Sequence, residues 1–446
     1  NQRERNEQMA YLLGVLIVVF GLLISIGLHE IGHLVPAKKF GVRVPQYMIG
    51  FGPTIWSTTR GETEYGVKLI PLGGYVRLVG MYPPGDPRRA SKKGRLAEFV
   101  QSARDASMEE VRPGEEHRAF YNLSAPKKLI VMFGGPFMNL VIAFVLLSVL
   151  YVGFGQMTPT TTLASVSQCV LAADAPADAT CSENDPVAPA AAAGLQPGDT
   201  ITAWNGTQVQ SWDELSTLIQ HTGGQEVDVT FTRDGVEHTT SATPIVAQRP
   251  EFKEDGTAAV DSNGDVVTHP VGFMGMGART ELVSQSITQV PGALGEQLAG
   301  TAKIIGSLPA RLVDITHAAF GHEERDANSV VGIVGIGRFA GELASTQGLN
   351  TPQYVAANLI GLVVSLNIAL FAFNMVPLPP LDGGHIASAL YEGARRRVVK
   401  LAGRGYSGPA DTARLLPLTY TVFILLTGMS VLLIYADIVN PVKLFG

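Results

Sequence analysis

Cysteine is nearly absent: the 446-residue chain carries two, Cys169 and Cys181. Both lie far from every other motif, which argues against a thiolate metal site. Whether they form a disulfide or stay free thiols is open from sequence. Charge is scarce as well, at 16% of residues against 46% hydrophobic, where an ordinary soluble domain carries about 25% charged residues. The mean hydropathy is +0.20. No nucleic-acid partner is expected from such a chain, and no internal repeat or low-complexity tract interrupts it. What it has in abundance is long apolar runs.

Crossing the hydrocarbon of a bilayer takes about 20 apolar residues, and four stretches qualify: Met9 to Leu28, Leu129 to Phe154, Val355 to Val376 and Leu415 to Tyr435. A signal peptide is the competing reading of the first, but its core exceeds the usual ~7–15 residues and no small-residue cleavage site follows. The polar connections differ in sign. Residues 36–128 hold 16 Lys or Arg against 9 Asp or Glu, residues 155–354 hold 8 against 23, and residues 385–414 hold 6 against 2. Basic residues mark cytoplasmic loops, so the first and third connections are expected inside. The long acidic connection, both cysteines and the N-terminus are then expected outside.

Between the first two spans, Ile49 to Met81 combines glycine punctuation with β-branched alternation and reads as hairpins. A short helix is expected around Arg95 to Glu110, in a charged loop that shows no chemistry. In the acidic connection, Ala191 to Val209 reads as a turn and a strand ending at Asn205-Gly206. Ser211 is a candidate N-cap with Glu214 three residues on, and Glu226 to Thr243 is a hairpin turning at Asp234-Gly235. This order resembles a permuted bacterial PDZ domain, a fold that takes an extended peptide along a strand edge; a small β-rich domain without a ligand is the alternative. Residues 250–269 read as a loop, and residues 291–343 as short amphipathic helices punctuated by glycine. Gly335 to Ala340 matches a nucleotide-binding glycine pattern by spelling alone, with no βαβ unit around it. His317, His322, Glu323 and Glu324 read as a solvated turn.

The chemistry lies at the end of the first span, in His29-Glu30-Ile31-Gly32-His33. On a helix the two histidines stack on one face and can converge on one cation, with Glu30 in reach of a water beside it. That is the H-E-x-x-H arrangement of zinc hydrolases, and its placement in a membrane segment, where ionisable groups are costly, points to function. A catalytic zinc takes a third protein ligand. Asp382, after a proline-broken helix end and before two glycines, is the candidate; His385 is the alternative. Under the charge-derived topology, both halves of the site reach the same cytoplasmic depth.

Together with "IGFG" (Ile49 to Gly52), "IPLGGYVRL" (Ile70 to Leu78), "GGPFMN" (Gly134 to Asn139) and "NMVPLPPLDGGH" (Asn374 to His385), these residues resemble the site-2 protease family of intramembrane zinc metalloproteases, nearest its regulator-of-sigma-E branch. The resemblance spans nearly the whole chain. It implies one zinc held by His29, His33 and Asp382, with Glu30 as base. It also implies substrate contacts at Asn374, Asn139, Gly73, Gly74 and Tyr75, and a membrane-associated β-loop at Gly66 to Val79 that pairs with an unwound substrate. Expected partners are the lipid bilayer and single-span membrane proteins, anti-sigma factors above all, cut after another protease has removed the outer domain. Where the branch has two PDZ modules, this chain has one, and an acidic insertion carries Cys169 and Cys181.

The expected fold is a mainly α-helical polytopic membrane protein in a bacterial cell membrane, with four transmembrane helices, a membrane-associated β-hairpin region and an extracytoplasmic α+β PDZ-like domain. The expected segments are 1–35 (first helix), 36–127 (β-loop region), 128–154 (second helix), 155–247 (PDZ-like domain), 248–354 (linker and amphipathic helices), 355–384 (third helix) and 385–446 (cytoplasmic loop and fourth helix). Two other classes compete. A non-proteolytic membrane adaptor would use only the PDZ-like module, and a transporter would need an inverted repeat that the sequence lacks.

Overall fold

The computed structural model describes residues 2–85, 94–171, 181–182, 185–250, 259, 267–321, 325, 329–345, 351–403 and 408–442. The chain forms two compact units, residues 1–153 with 286–446, and residues 154–285. In chain order the first unit opens with α1 (Gln2–Lys39), β1 (Gln46–Arg60), β2 (Thr63–Arg77), α2 (Arg95–Glu109) and α3 (Ala125–Ser148), which runs into a π-helical turn at Val149–Phe154. The second unit holds β3 (Gln156–Val166), α4 (Pro189–Ala192), β4 (Thr200–Trp204), β5 (Thr207–Gln208), α5 (Trp212–His221), β6 (Val227–Arg233), β7 (Val236–Ala242), β8 (Ile245–Pro250), β9 (Thr268–Phe273) and β10 (Met276–Val283). The first unit then resumes with α6 (Val290–Phe320), α7 (Ile333–Ser345), α8 (Pro352–Asn374), α9 (Asp382–Leu401) and α10 (Leu416–Val439).

The described chain is mostly helical, with some β-sheet. Four helices are long and apolar enough to cross a membrane: Glu4–Lys39, Ala125–Phe154, Pro352–Asn374 and Thr412–Val439. The third span differs from its expected extent, since α8 stops at Asn374 and Asp382 opens a new helix. Pro377, Pro379 and Pro380 in the turn cannot continue a helix ladder. The expected short helices of residues 291–343 are instead the 31-residue α6 and the 13-residue α7. A glycine weakens a helix by only about 1 kcal/mol, and packing of α6 against α8 and α10 outweighs it. The glycine pattern at Gly335 lies inside α7, with no strand directly before it among the described residues. His317 lies in α6, while His322, Glu323 and Glu324 lie outside the described residues.

Polar contacts pin the helices of the first unit. Asn367 of α8 donates to Ser25 Oγ of α1 at 2.9 Å, a bond that apolar surroundings make worth keeping. Asp437, near the end of α10, accepts from Arg325 Nη1 at 2.9 Å and from the backbone N–H groups of Gly332 and Gly335 at 2.8 Å each. It thereby caps the first turn of α7, where free N–H groups and the helix dipole favour an anion. Both partners of the ion pair are 1% exposed. Asp437→Ala leaves the Arg325 charge buried and unpaired, and is expected to cost about 3–5 kcal/mol of stability. The measurement is the chemical-denaturation midpoint in detergent; a change too small to resolve there would mean that water reaches the pair.

The second unit wraps a sheet of order β10-β3-β4-β6-β7, with β5 beside β4, around Ile201, Trp204, Leu215 and Val229. The β6–β7 turn has positive φ at Asp234 (51°) and Gly235 (79°), the mirror-image turn that a two-residue hairpin demands. Ser211 Oγ accepts from Glu214 N–H, and the Glu214 carboxylate accepts from Gln210 N–H. Cys169 and Cys181 are joined in a disulfide.

Asp199, 1% exposed, ties two strands together by accepting from Arg233. Burial alone would raise its carboxyl, but the Arg233 guanidinium and the Gln196 N–H outweigh burial and hold it below the ordinary carboxylate range. A depressed acid stabilises the fold above its unfolded pKa of about 3.9, and this contribution disappears as pH falls through the lower folded value. Acid unfolding of this unit, followed by near-ultraviolet circular dichroism of buried Trp204, is therefore expected to begin below about pH 4. Asp199→Asn should flatten that dependence.

Candidate active site

His29 and His33 lie one turn apart on α1, and the helix face they share is turned towards α3. The two helices meet nearly backbone to backbone. A Cβ on Gly32 would lie 2.2 Å from the Gly134 carbonyl oxygen, and one on Gly134 would lie 2.0 Å from that of Gly32. Small residues permit this approach between apolar helices. Gly135 then rests against the imidazoles, where a Cβ would meet His33 Nε2 at 2.1 Å and His29 Nε2 at 2.7 Å.

The third group arrives from the other end of the sequence. After α8 the chain turns through residues 375–381, with a cis Pro379-Pro380 bond, and Asp382 is the first residue of α9. Gly383 and Gly384 make the turn possible: a Cβ on the first would lie 2.3 Å from the Val376 carbonyl oxygen, and on the second 2.4 Å from Pro379 N. A buried ion pair fastens α9 to α3, with Lys128 Nζ 2.7 Å from Glu392 Oε2. The same oxygen accepts from Ala410 N–H at 3.0 Å.

Asp382 Oδ2 is 3.3 Å from His29 Nε2 and 3.3 Å from His33 Nε2, and the two Nε2 atoms are 3.2 Å apart. Ligands at zinc bond lengths of about 2.0–2.1 Å in a tetrahedron lie ~3.3–3.4 Å from one another. The triangle is therefore the size of one face of a zinc tetrahedron, and its donors, two imidazoles and a carboxylate, suit that ion. Among the described residues this is the group able to hold a metal. His33 Nδ1–H donates to the Val131 carbonyl at 2.8 Å, which leaves the Nε2 lone pair for the ion. The His29 ring nitrogen Nδ1 lies 3.1 Å from the Asn139 amide.

The triangle borders a cavity of about 750 Å³, whose wall includes Glu30, Gly73, Gly74, Tyr75, Asn374 and His385. Five of these are residues that the sequence singled out for base or substrate contact. His385 reaches the wall but is not in the ligand group. Asn139 is not on the wall: it is 0% exposed and faces His29. The lining also includes Ala103, Ser107 and Glu110, in and just after α2, and Leu416 and Tyr420 of α10. No motif in their sequence marked them. Nor could sequence have found the Val131 carbonyl, which acts through its backbone.

The strands meet the site at one edge. Residues 46–49 pair with 64–67 on one side and with 74–77 on the other, while 54–60 fold back on 63–68. The segment order is thus 54–60, 63–68, 46–49, 74–77. Tyr47 Oη donates to the Gly27 carbonyl at 2.8 Å, which binds this sheet to α1. A Cβ on Gly74 would lie 2.9 Å from Glu30 Cγ, so the outermost segment runs directly past the acid. Among the described residues no strand pairs with its other edge.

Comparison with known proteins agrees with this chemistry. The sequence model of peptidase family M50 matches residues 17–416. The chain is 32% identical over 445 residues to zinc metalloprotease Rip1 of Mycobacterium tuberculosis, covering 98% of this chain and 100% of that protein. It is 28% identical to zinc metalloprotease RasP of Shouchella clausii, covering 86% and 90%. Metalloprotease MmpA of Caulobacter vibrioides is 27% identical, covering 88% and 89%. Nothing in these relatives favours the adaptor reading. The chain belongs to peptidase family M50, the site-2 proteases, and is a multi-pass membrane zinc metalloprotease.

Proposed function

We propose that this protease cuts single-span membrane proteins within or beside their membrane segment, with anti-sigma factors as its natural substrates once their outer domain has been removed. The observation that carries the reading is the junction of the His29, His33 and Asp382 triangle with a strand segment, residues 74–77, with whose outer edge no further strand pairs among the described residues. A substrate helix hides its amides in its own hydrogen bonds and must unwind to be cut. In an apolar medium the freed groups need new partners, and the edge of residues 74–77 offers them. Gly73, Gly74, Tyr75 and Asn374 line the same cavity as the triangle.

His29, His33 and Asp382 hold the zinc, which when bound supplies Lewis acidity towards water and the scissile carbonyl. Glu30 takes the proton from the attacking water and hands it to the leaving nitrogen as the C–N bond breaks. The excess of basic residues in 36–128 and 385–414 supports a cytoplasmic placement of those segments and of the site beside them. The second unit, PDZ-like in its helix and hairpin order, then lies outside and screens substrates for a trimmed outer end.

The test is mass-spectrometric mapping of the bond cut in a single-span substrate offered with and without its outer domain. Cleavage inside the span, faster for the trimmed form, is expected. A cut in a soluble loop, at equal rates for both forms, would sink the proposal.

A further inference from the structure

We infer that Asn139 is a positioning residue for the metal, setting the tautomer of His29, and is not a substrate contact. The inference rests on the ligand set just proposed. To bind an ion through Nε2, neutral His29 must carry its proton on Nδ1, because a neutral imidazole offers one N–H and one lone pair. That Nδ1–H needs an acceptor inside a dry helix interface, where an unpaired donor is costly.

The group that faces Nδ1 is the Asn139 side-chain amide, as placed with its nitrogen Nδ2 at 3.1 Å. Asn139 is 0% exposed, and its Oδ1 has no hydrogen-bond partner. The oxygen and nitrogen ends of an amide are assigned from their surroundings. Turning the amide so that Oδ1 meets Nδ1–H gives both a partner. His33 receives the same service from the Val131 carbonyl, 2.8 Å from its Nδ1. Each histidine ligand is thus oriented by one acceptor on α3, one from the backbone and one from a side chain. Val131 and Asn139 lie about two turns apart on that helix, on either side of Gly134 and Gly135, where α3 meets α1 closely.

The experiment measures zinc retention against a chelator series in the full-length detergent-solubilised protein, together with KM and kcat on a single-span substrate. Four forms are compared: unmodified, Asn139→Ala, Asn139→Asp and Asp382→Ala. Asn139→Ala should bind zinc about 10–100-fold more weakly, the usual effect of losing a histidine's outer partner. Asn139→Asp keeps an acceptor and should hold zinc nearly as well as the unmodified protein. Asp382→Ala reports on the ligand set itself. If it loses zinc while Asn139→Ala keeps it, the positioning role is wrong and the ligand set stands. If Asp382→Ala keeps its zinc, the ligand set falls and this inference with it. A raised KM with unchanged zinc affinity in Asn139→Ala would return the residue to the substrate. Equal zinc loss in the Ala and Asp variants, both with an intact disulfide and native circular dichroism, would also overturn the proposal.

Discussion

Glu30→Gln should retain zinc and lose peptide-bond cleavage by about 10²–10⁴-fold, the range that a positioned general base contributes. Glutamine keeps the shape of the side chain, which matters because Glu30 is 8% exposed and packs against Gly74. It cannot accept the proton of the attacking water. Metal content and initial cleavage rate, measured on the same preparation, separate the possibilities. Full zinc with unimpaired cutting would mean that the proton acceptor is another group. Loss of zinc would mean that Glu30 supports the metal and not the proton transfer.

Gly135→Ala is expected to remove the metal. Its new methyl group would lie 2.1 Å from His33 Nε2 and 2.7 Å from His29 Nε2, so it competes for the space of the donor atoms. His33 is held by the Val131 carbonyl and His29 stands against Asn139, which leaves neither ring a free direction of retreat. The helix itself gains from alanine in propensity by up to about 1 kcal/mol, so fold and function should separate. A variant with native circular dichroism and zinc affinity lower by on the order of 10²-fold or more is expected, at or above the effect of losing one outer partner. A variant that still carries one zinc per chain after dialysis would show that α1 and α3 can part by the width of a methyl group.

Much of this site was legible in the sequence because its chemistry sits in local patterns. His29, Glu30 and His33 follow helical spacing, and Asp382 is flagged by the prolines and glycines around it. The four spans were legible for the same reason, since an apolar run of membrane length has few other uses. Other features were hidden because they exist only between elements. Gly135 matters through contact with another helix, and Val131 through a carbonyl that every residue has. The motif resemblance suggests a substrate contact for Asn139, while in the structure it is 0% exposed and faces His29. The length of α6 is not legible in the sequence because its glycines read as punctuation, whereas packing on α8 and α10 sustains the helix. The strand region was recognised as hairpins, but which segment would flank the acid depended on the double pairing of residues 46–49.

The proposed ligands are divided between the two ends of the chain, with His29 and His33 on the first helix and Asp382 opening the last helix but one. During synthesis α1 enters the bilayer long before residue 382 has left the ribosome. Until then two histidines alone face α3, and two ligands are one short of what a catalytic zinc ordinarily requires. The growing chain therefore has no competent hydrolytic centre while its own unfolded membrane segments, the nearest available substrates, are passing by. On the proposed ligand set, proteolytic competence waits until residue 382 has been made and inserted.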